Sequence, residues 1–132
     1  FWAPRHADLA VSLRHAPFLF WLVETLRPRR LVQIGLADPG GYLTLCQAVD
    51  RLGLGTRCLG FEPDPQARPL AAALTEAHGM FYGDFSTLDA GDPAAMQRHA
   101  AGEAVDLLVI DAPLSAAQVT QVITRWSPLL SE

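Results

Sequence analysis

The sequence predicts an α/β fold of the doubly wound, Rossmann-like kind, with a parallel sheet of at least four strands in the order 3-2-1-4 and helices on both faces. Three observations carry this expectation. Short apolar segments of strand length alternate with helical patterns along the chain. The first strand, residues 31–34, breaks at a glycine-rich turn that runs straight into a helix. Residues 105–110 are apolar on both faces, as an interior parallel strand is.

Composition narrows the class. At 132 residues the chain suits one domain, able to bury a core without disulfides or metals. We divide it into an N-terminal arm, residues 1–16, and a domain, residues 17–132. A formal charge of -4, from 10 basic against 14 acidic residues, argues against nucleic acid and anionic membrane as partners. Cys46 and Cys58 follow no metal spacing and lie in apolar surroundings, so they read as reduced interior thiols of a cytoplasmic protein. The longest apolar run, residues 17–23, falls far short of the ~20 residues that span a bilayer and reads as a buried helix face. The start at Phe1 and the end at Glu132 suggest a domain taken from something longer, incomplete after its fourth strand.

The elements follow in order. Around Asp8 to Leu13 the arm holds at most one helical turn. Pro17 opens a helix whose face is Phe18, Trp21, Leu22, Thr25 and Leu26, ended at Arg27-Pro28. After strand 31–34 and the turn, Asp38-Pro39 reads as N-cap and first residue of a helix burying Tyr42, Leu45, Cys46 and Val49, closed by Gly53 and Gly55. Residues 58–61 form the second strand. Asp64-Pro65 starts a helix burying Ala67, Leu70, Ala71 and Leu74 and stopping at Gly79 in a left-handed cap. Residues 80–82 form the third strand, and a short helix runs from Asp92-Pro93 to about His99. After strand 105–110, Ser115 and Gln118 form a capping box ahead of Val119, Val122, Ile123 and Trp126.

In this topology ligands settle at the carboxyl end of the first strand, where helix-start amides and bare glycine backbone leave room for a polar group. Gly35, Gly40 and Gly41 stand there, and Glu62 ends the second strand where a carboxylate takes ribose hydroxyls. Two glycines in a first helical turn cost about 1 kcal/mol each against alanine, which implies a close approach by a ligand or a neighbouring strand. Asp84 is a candidate for an adenine amino group, with a plain turn cap as the alternative. Asp111, after the fourth strand, is a candidate polar anchor for substrate. His6, His15, His78 and His99 form no ligand spacing and read as surface or capping residues. Ser12, Ser86 and Ser115 lack a nucleophile elbow. Trp21 and Trp126 read as packing residues, and Trp2 as a contact for a partner.

On these segments, from residues 17–24 through 31–35, 46–58 and 105–111, the chain resembles the class I S-adenosylmethionine-dependent methyltransferases, in particular methyltransferase-like domains beside bacterial glycosyltransferases. The resemblance implies S-adenosylmethionine as cofactor, held by Gly35, Gly40, Gly41, Glu62 and Asp84, with Asp111 facing the acceptor. The implied reaction is O-methylation of a sugar or other small acceptor. The chain departs from the pattern at Gln33, where the family carries an acid, at Pro39, where it carries a second glycine, and after Asp111, where a histidine is missing. Asp38, as a capping carboxylate, would consume helix-start amides and repel the cofactor carboxylate. These departures keep a second reading open, an inactive scaffold or partner-binding module associated with a glycosyltransferase. If the chain is the whole folded unit, residues 105–110 would be a long edge strand, covered by the arm or paired with a second copy or a partner domain.

Overall fold

The computed structural model describes residues 3–6, 16–63, 72–90, 104–111 and 115–131, apart from the Arg125 side chain. Helix α1 spans Ala16–Leu26, strand β1 Arg30–Ile34, helix α2 Pro39–Leu52 and strand β2 Arg57–Glu62. Helix α3 (Ala72–Phe81), strands β3 (Ser86–Ala90) and β4 (Leu107–Ile110), and helix α4 (Ala116–Trp126) follow, with a 3-10 turn over Ser127–Leu129. The sheet has the expected order β3-β2-β1-β4, and every pairing is parallel. The positions predicted for Asp8, His15, Asp64, Ala67, Leu70, Asp92 and His99 lie outside the described residues, as does Trp2. Among the described residues no helix is long and apolar enough to cross a membrane.

Strand β1 is buried along its whole length because both of its faces are covered. Leu31 packs with Phe20 and Val23 of α1, Tyr42 to Val49 of α2, and Leu74 of α3. Val32 and Ile34 point the other way, to Leu59, Phe61 and Trp126. Trp126 is held there by α4, whose capping box forms as predicted: Gln118 N–H donates to Ser115 Oγ, and Ser115 N–H to Gln118 Oε1. Gly53 closes α2 at φ 61°, the left-handed conformation that glycine adopts without penalty. Both cysteines are free and buried.

Four expectations are corrected. The buried face of α1 is Ala16, Phe20 and Val23, while Phe18 and Trp21 stack on each other with more than half their surface in solvent. A helix apolar nearly all round leaves its phase undetermined by spacing alone, and packing against α2 decides it. Second, α3 runs through Gly79 to Phe81, and β3 is 86–90 instead of 80–82. Gly79 does not take the left-handed conformation that would have stopped the helix.

Third, β4 is shorter than 105–110 and only half-buried, because it lies at the edge of the sheet. Asp106 still bonds to β1, its N–H donating to the Arg30 carbonyl and its carboxylate accepting the N–H groups of Arg29 and Arg30, while Val105 bridges in parallel to Leu130. The described arm residues do not cover that edge. Gln47 grips them on α2, accepting Arg5 N–H and donating to the Ala3 carbonyl.

Fourth, His6 and His78 are buried bonding partners instead of surface residues. His6 pairs with Tyr82 Oη at 2.7 Å, and His78 with Ser86 Oγ at 2.8 Å. Ser86 also meets Tyr42 Oη at 2.5 Å, so one hydroxyl joins α2, α3 and β3. Burial pushes both tyrosine hydroxyls up, Tyr82 to about 12.

Gly60 of β2 is the tightest point beneath the first turn. A Cβ there would come within 3.0 Å of Leu88 and Tyr42 side-chain atoms and 3.1 Å of Leu36. Gly60→Ala should therefore destabilise the protein by about 1–3 kcal/mol, read as a lower urea midpoint with an unchanged slope. Burial holds the His78 imidazole below its ordinary value of 6.5, so the unfolded chain takes up a proton more readily than the folded one. Stability should be full above about pH 6.5 and fall as the pH drops below it. Unfolding midpoints at about pH 7.5 and about pH 5.5 should differ less in His78→Gln than in the parent.

Candidate functional site

The carboxyl ends of β1, β2 and β4 and the amino end of α2 meet at one edge of the sheet. The chain must leave β1 and enter α2 within four residues, and Gly35 makes the turn at φ 99°, a conformation that L side chains rarely adopt. Its N–H continues the ladder to Phe61 O at 2.8 Å. Leu36 N–H then leaves the ladder and donates to Glu62 Oε1 at 2.9 Å. Glu62 is buried, 5% exposed, at the last position of β2. The side-chain amide of Gln33, 1% exposed, donates to the Gly35 carbonyl at 3.0 Å.

Helix α2 starts as expected in outline and differently in detail. Asp38 occupies the N-cap position and Pro39 the first turn, but the Asp38 side chain makes no capping bond. The backbone does the work: Gly41 N–H donates to the Asp38 carbonyl at 3.2 Å. The expectation that the Asp38 carboxylate consumes helix-start amides is therefore corrected. Gly40 is buried, and Gly41 lies against β4: a Cβ on it would sit 3.5 Å from Asp111 Oδ2. At Gly41 that distance is ordinary van der Waals contact, so the neighbouring strand end does not make the close approach that the two glycines imply. Asp111 is itself tied in by its N–H, which donates to Ile34 O at 2.8 Å, while its side chain is exposed.

Gly35, Gly40, Gly41, Glu62 and Asp111 are brought together in this way. Asp84 is not. It sits in the turn before β3, two residues ahead of Ser86, which pairs with Cys58 near the start of β2. That is the amino end of the sheet, opposite Glu62. The shift follows from the misplaced third strand, and the acidic residue of β3 at the site's end is Asp89, in register with Phe61. Its signal was the segment Ser86-Thr87-Leu88-Asp89-Ala90, whose β-branched and apolar residues compete weakly with the helical pattern before it.

The edge is acidic: Asp38, Glu62, Asp89 and Asp111 are the carboxyl groups placed there by the turn and the strand ends. Such groups suit a ligand that combines hydroxyls with positive charge.

Comparison with known proteins adds the family evidence. Residues 32–132 match the family model described as "Methyltransferase domain". The uncharacterized protein y4gI of Sinorhizobium fredii is 33% identical over an alignment of 125 residues that covers 90% of this chain and 14% of that protein. Among solved structures, the O-methyltransferase TomG of Streptomyces achromogenes, in complex with SAM, superposes with a TM-score of 0.69 at 19% identity. The match covers 95% of this chain and 54% of TomG. Cofactor-bound Rv0187 from MTB gives a TM-score of 0.70 at 23% identity, covering 98% of this chain and 55% of that one. The chain thus spans a small part of its curated relative and about half of these structures, whose likeness establishes the fold.

The Leu36–Glu62 bond separates two substitutions. Glu62→Gln keeps an oxygen for Leu36 N–H and should change stability by less than about 1 kcal/mol, whereas Glu62→Ala strands a buried donor and should cost about 1–3 kcal/mol. Urea unfolding of the two variants beside the parent measures the difference.

Proposed function

The chain belongs to the methyltransferase domain family, and on that premise we propose that it binds S-adenosylmethionine at the carboxyl end of β1 and serves O-methylation of a sugar or other small acceptor. The observation that carries this reading is the Gly35–Glu62 pair. A glycine at φ 99° keeps the strand end bare, and beside it a buried carboxyl group ends β2, already oriented by a backbone N–H. The donor set fits the molecule. Glu62 would accept from the ribose hydroxyls, and the acidic groups at the edge would favour its positive charge. Gly40 and Gly41 would line the methionine end, where the Asp38 side chain takes up no helix-start amide. Asp89, at the carboxyl end of β3, replaces Asp84 as the candidate for the adenine side.

When bound, S-adenosylmethionine supplies an electrophilic methyl group on a sulfonium centre. The chain's own part is placement. Asp111, exposed at the end of β4 and anchored through its backbone to β1, would accept a hydrogen bond from the acceptor hydroxyl and hold its oxygen at the site. Catalysis would rest on proximity and orientation. Residues 112–114 follow Asp111 as Ala-Pro-Leu, so this stretch offers no histidine as a base.

A second reading, a scaffold without catalysis, is favoured by Gln33 in the place of an acid and by the missing histidine. The relative of which this chain matches only 14% agrees with a domain that works beside others, a glycosyltransferase being the neighbour we favour.

Isothermal titration with S-adenosylhomocysteine decides between them. The first reading expects saturable heat, with affinity reduced at least about tenfold in Glu62→Gln because a charge-assisted bond to a hydroxyl is lost. No heat at about millimolar ligand would leave only the scaffold.

A further inference from the structure

One peptide unit of the site is held at both ends. The carbonyl of Gly35 accepts the Gln33 side-chain amide at 3.0 Å, and the N–H of that same peptide, on Leu36, donates to Glu62 Oε1 at 2.9 Å. A peptide is planar, with its C=O and N–H pointing in opposite directions, so fixing the oxygen fixes the direction of the hydrogen. Gly35 itself cannot supply that constraint. Without a Cβ it is free to rotate about its own bonds, and the bond of its N–H to Phe61 O does not fix the peptide that follows it.

We infer that Gln33 is a positioning residue: by gripping the Gly35 carbonyl it aims the Leu36 N–H at Glu62 and so sets the orientation of that carboxyl group. The functional meaning of the inference rests on Glu62 holding the ribose of S-adenosylmethionine. Gln33 reaches the loop from a fixed place. It lies mid-sheet, in register with Gly60 of β2 and Val109 of β4, on the face of β1 that looks toward α2.

The residue type follows from the same geometry. The group that meets the Gly35 carbonyl must be a donor, and a side-chain amide is one at every pH. A carboxyl group in that position would donate only while protonated. Ionised, it would be a buried charge turned toward a carbonyl oxygen, at an end of the sheet that already carries Asp38, Glu62 and Asp111. Glutamine at this position therefore gives a contact between β1 and its own turn that does not depend on proton uptake.

The test combines amide exchange with ligand titration in the parent, Gln33→Met and Gln33→Glu. Methionine keeps the length and loses the donor. In Gln33→Met the Leu36 amide should exchange about tenfold faster, and S-adenosylhomocysteine should bind about tenfold more weakly, while the other β1 amides keep their protection. Gln33→Glu should bind like Gln33→Met at about pH 9 and recover toward the parent when the pH is lowered to about pH 5, because only the protonated acid donates. Unchanged Leu36 exchange in Gln33→Met, or a Gln33→Glu variant with the same relative affinity at both pH values, overturns the inference. Should Gln33→Met fail to fold, the pH comparison in Gln33→Glu decides alone. If the parent takes up no ligand yet Leu36 exchange accelerates in Gln33→Met, the positioning role stands and the cofactor reading fails. If the parent binds and Leu36 exchange does not change, the reverse holds.

Discussion

The bond from Leu36 N–H to Glu62 Oε1 joins the ends of the two central strands, and the candidate site depends on it. At the carboxyl end of a parallel sheet each strand must give up its ladder partners, and the freed backbone groups need others. Here Gly35 N–H still pairs with Phe61, and the next N–H passes to the Glu62 side chain. A hydrogen bond to a charged acceptor contributes roughly 1.5–3 kcal/mol, more than the ~1 kcal/mol that one glycine in a helix costs. That is about what Gly40 and Gly41 together cost the first turn of α2. What results is a bare strand end with a carboxyl group beside it, fixed before any ligand arrives.

Packing beneath the loop makes that arrangement rigid. Gly60 leaves room for Leu36 and Tyr42 to lie over β2, and the Tyr42 hydroxyl reaches down to Ser86 and, through it, to His78. Among the described residues no buried side-chain nitrogen or oxygen lacks a hydrogen-bond partner, so this face is polar at its centre and still satisfied. On the opposite face Trp126 fills the space under Val32, Ile34 and Phe61. The first turn of α2 is thus supported from below by side chains on both faces of the sheet and from the side by Asp111.

Much of this was legible in the sequence. The strand order, the Asp38-Pro39 helix start and the Ser115–Gln118 capping box come from local chemistry, and local chemistry is what a sequence displays directly. So does the pairing of Gly35 with Glu62, since each ends an apolar run. Other features depend on partners far along the chain. The phase of α1 was hidden because Phe18, Leu19, Phe20, Trp21, Leu22 and Val23 offer an apolar residue on every side, and α2 selects Phe20 and Val23. The third strand was misread because Gly79 resembles a helix stop. Only backbone conformation shows that α3 continues past it, and with that Asp84 moves to the wrong end of the sheet. The burial of His6 and His78 depends on Tyr82 and Ser86, contacts that no spacing rule announces. Gln33 was legible as a departure from a family pattern, but its bond to Gly35 became visible only in three dimensions.

A crystal structure grown with S-adenosylhomocysteine tests the central claim most directly. The account predicts density for the ligand at the carboxyl end of β1, with ribose hydroxyls on Glu62 and the Leu36 N–H still donating to the same carboxyl group. Ligand density at another surface, or Glu62 turned away from Leu36 with the ribose elsewhere, would contradict it.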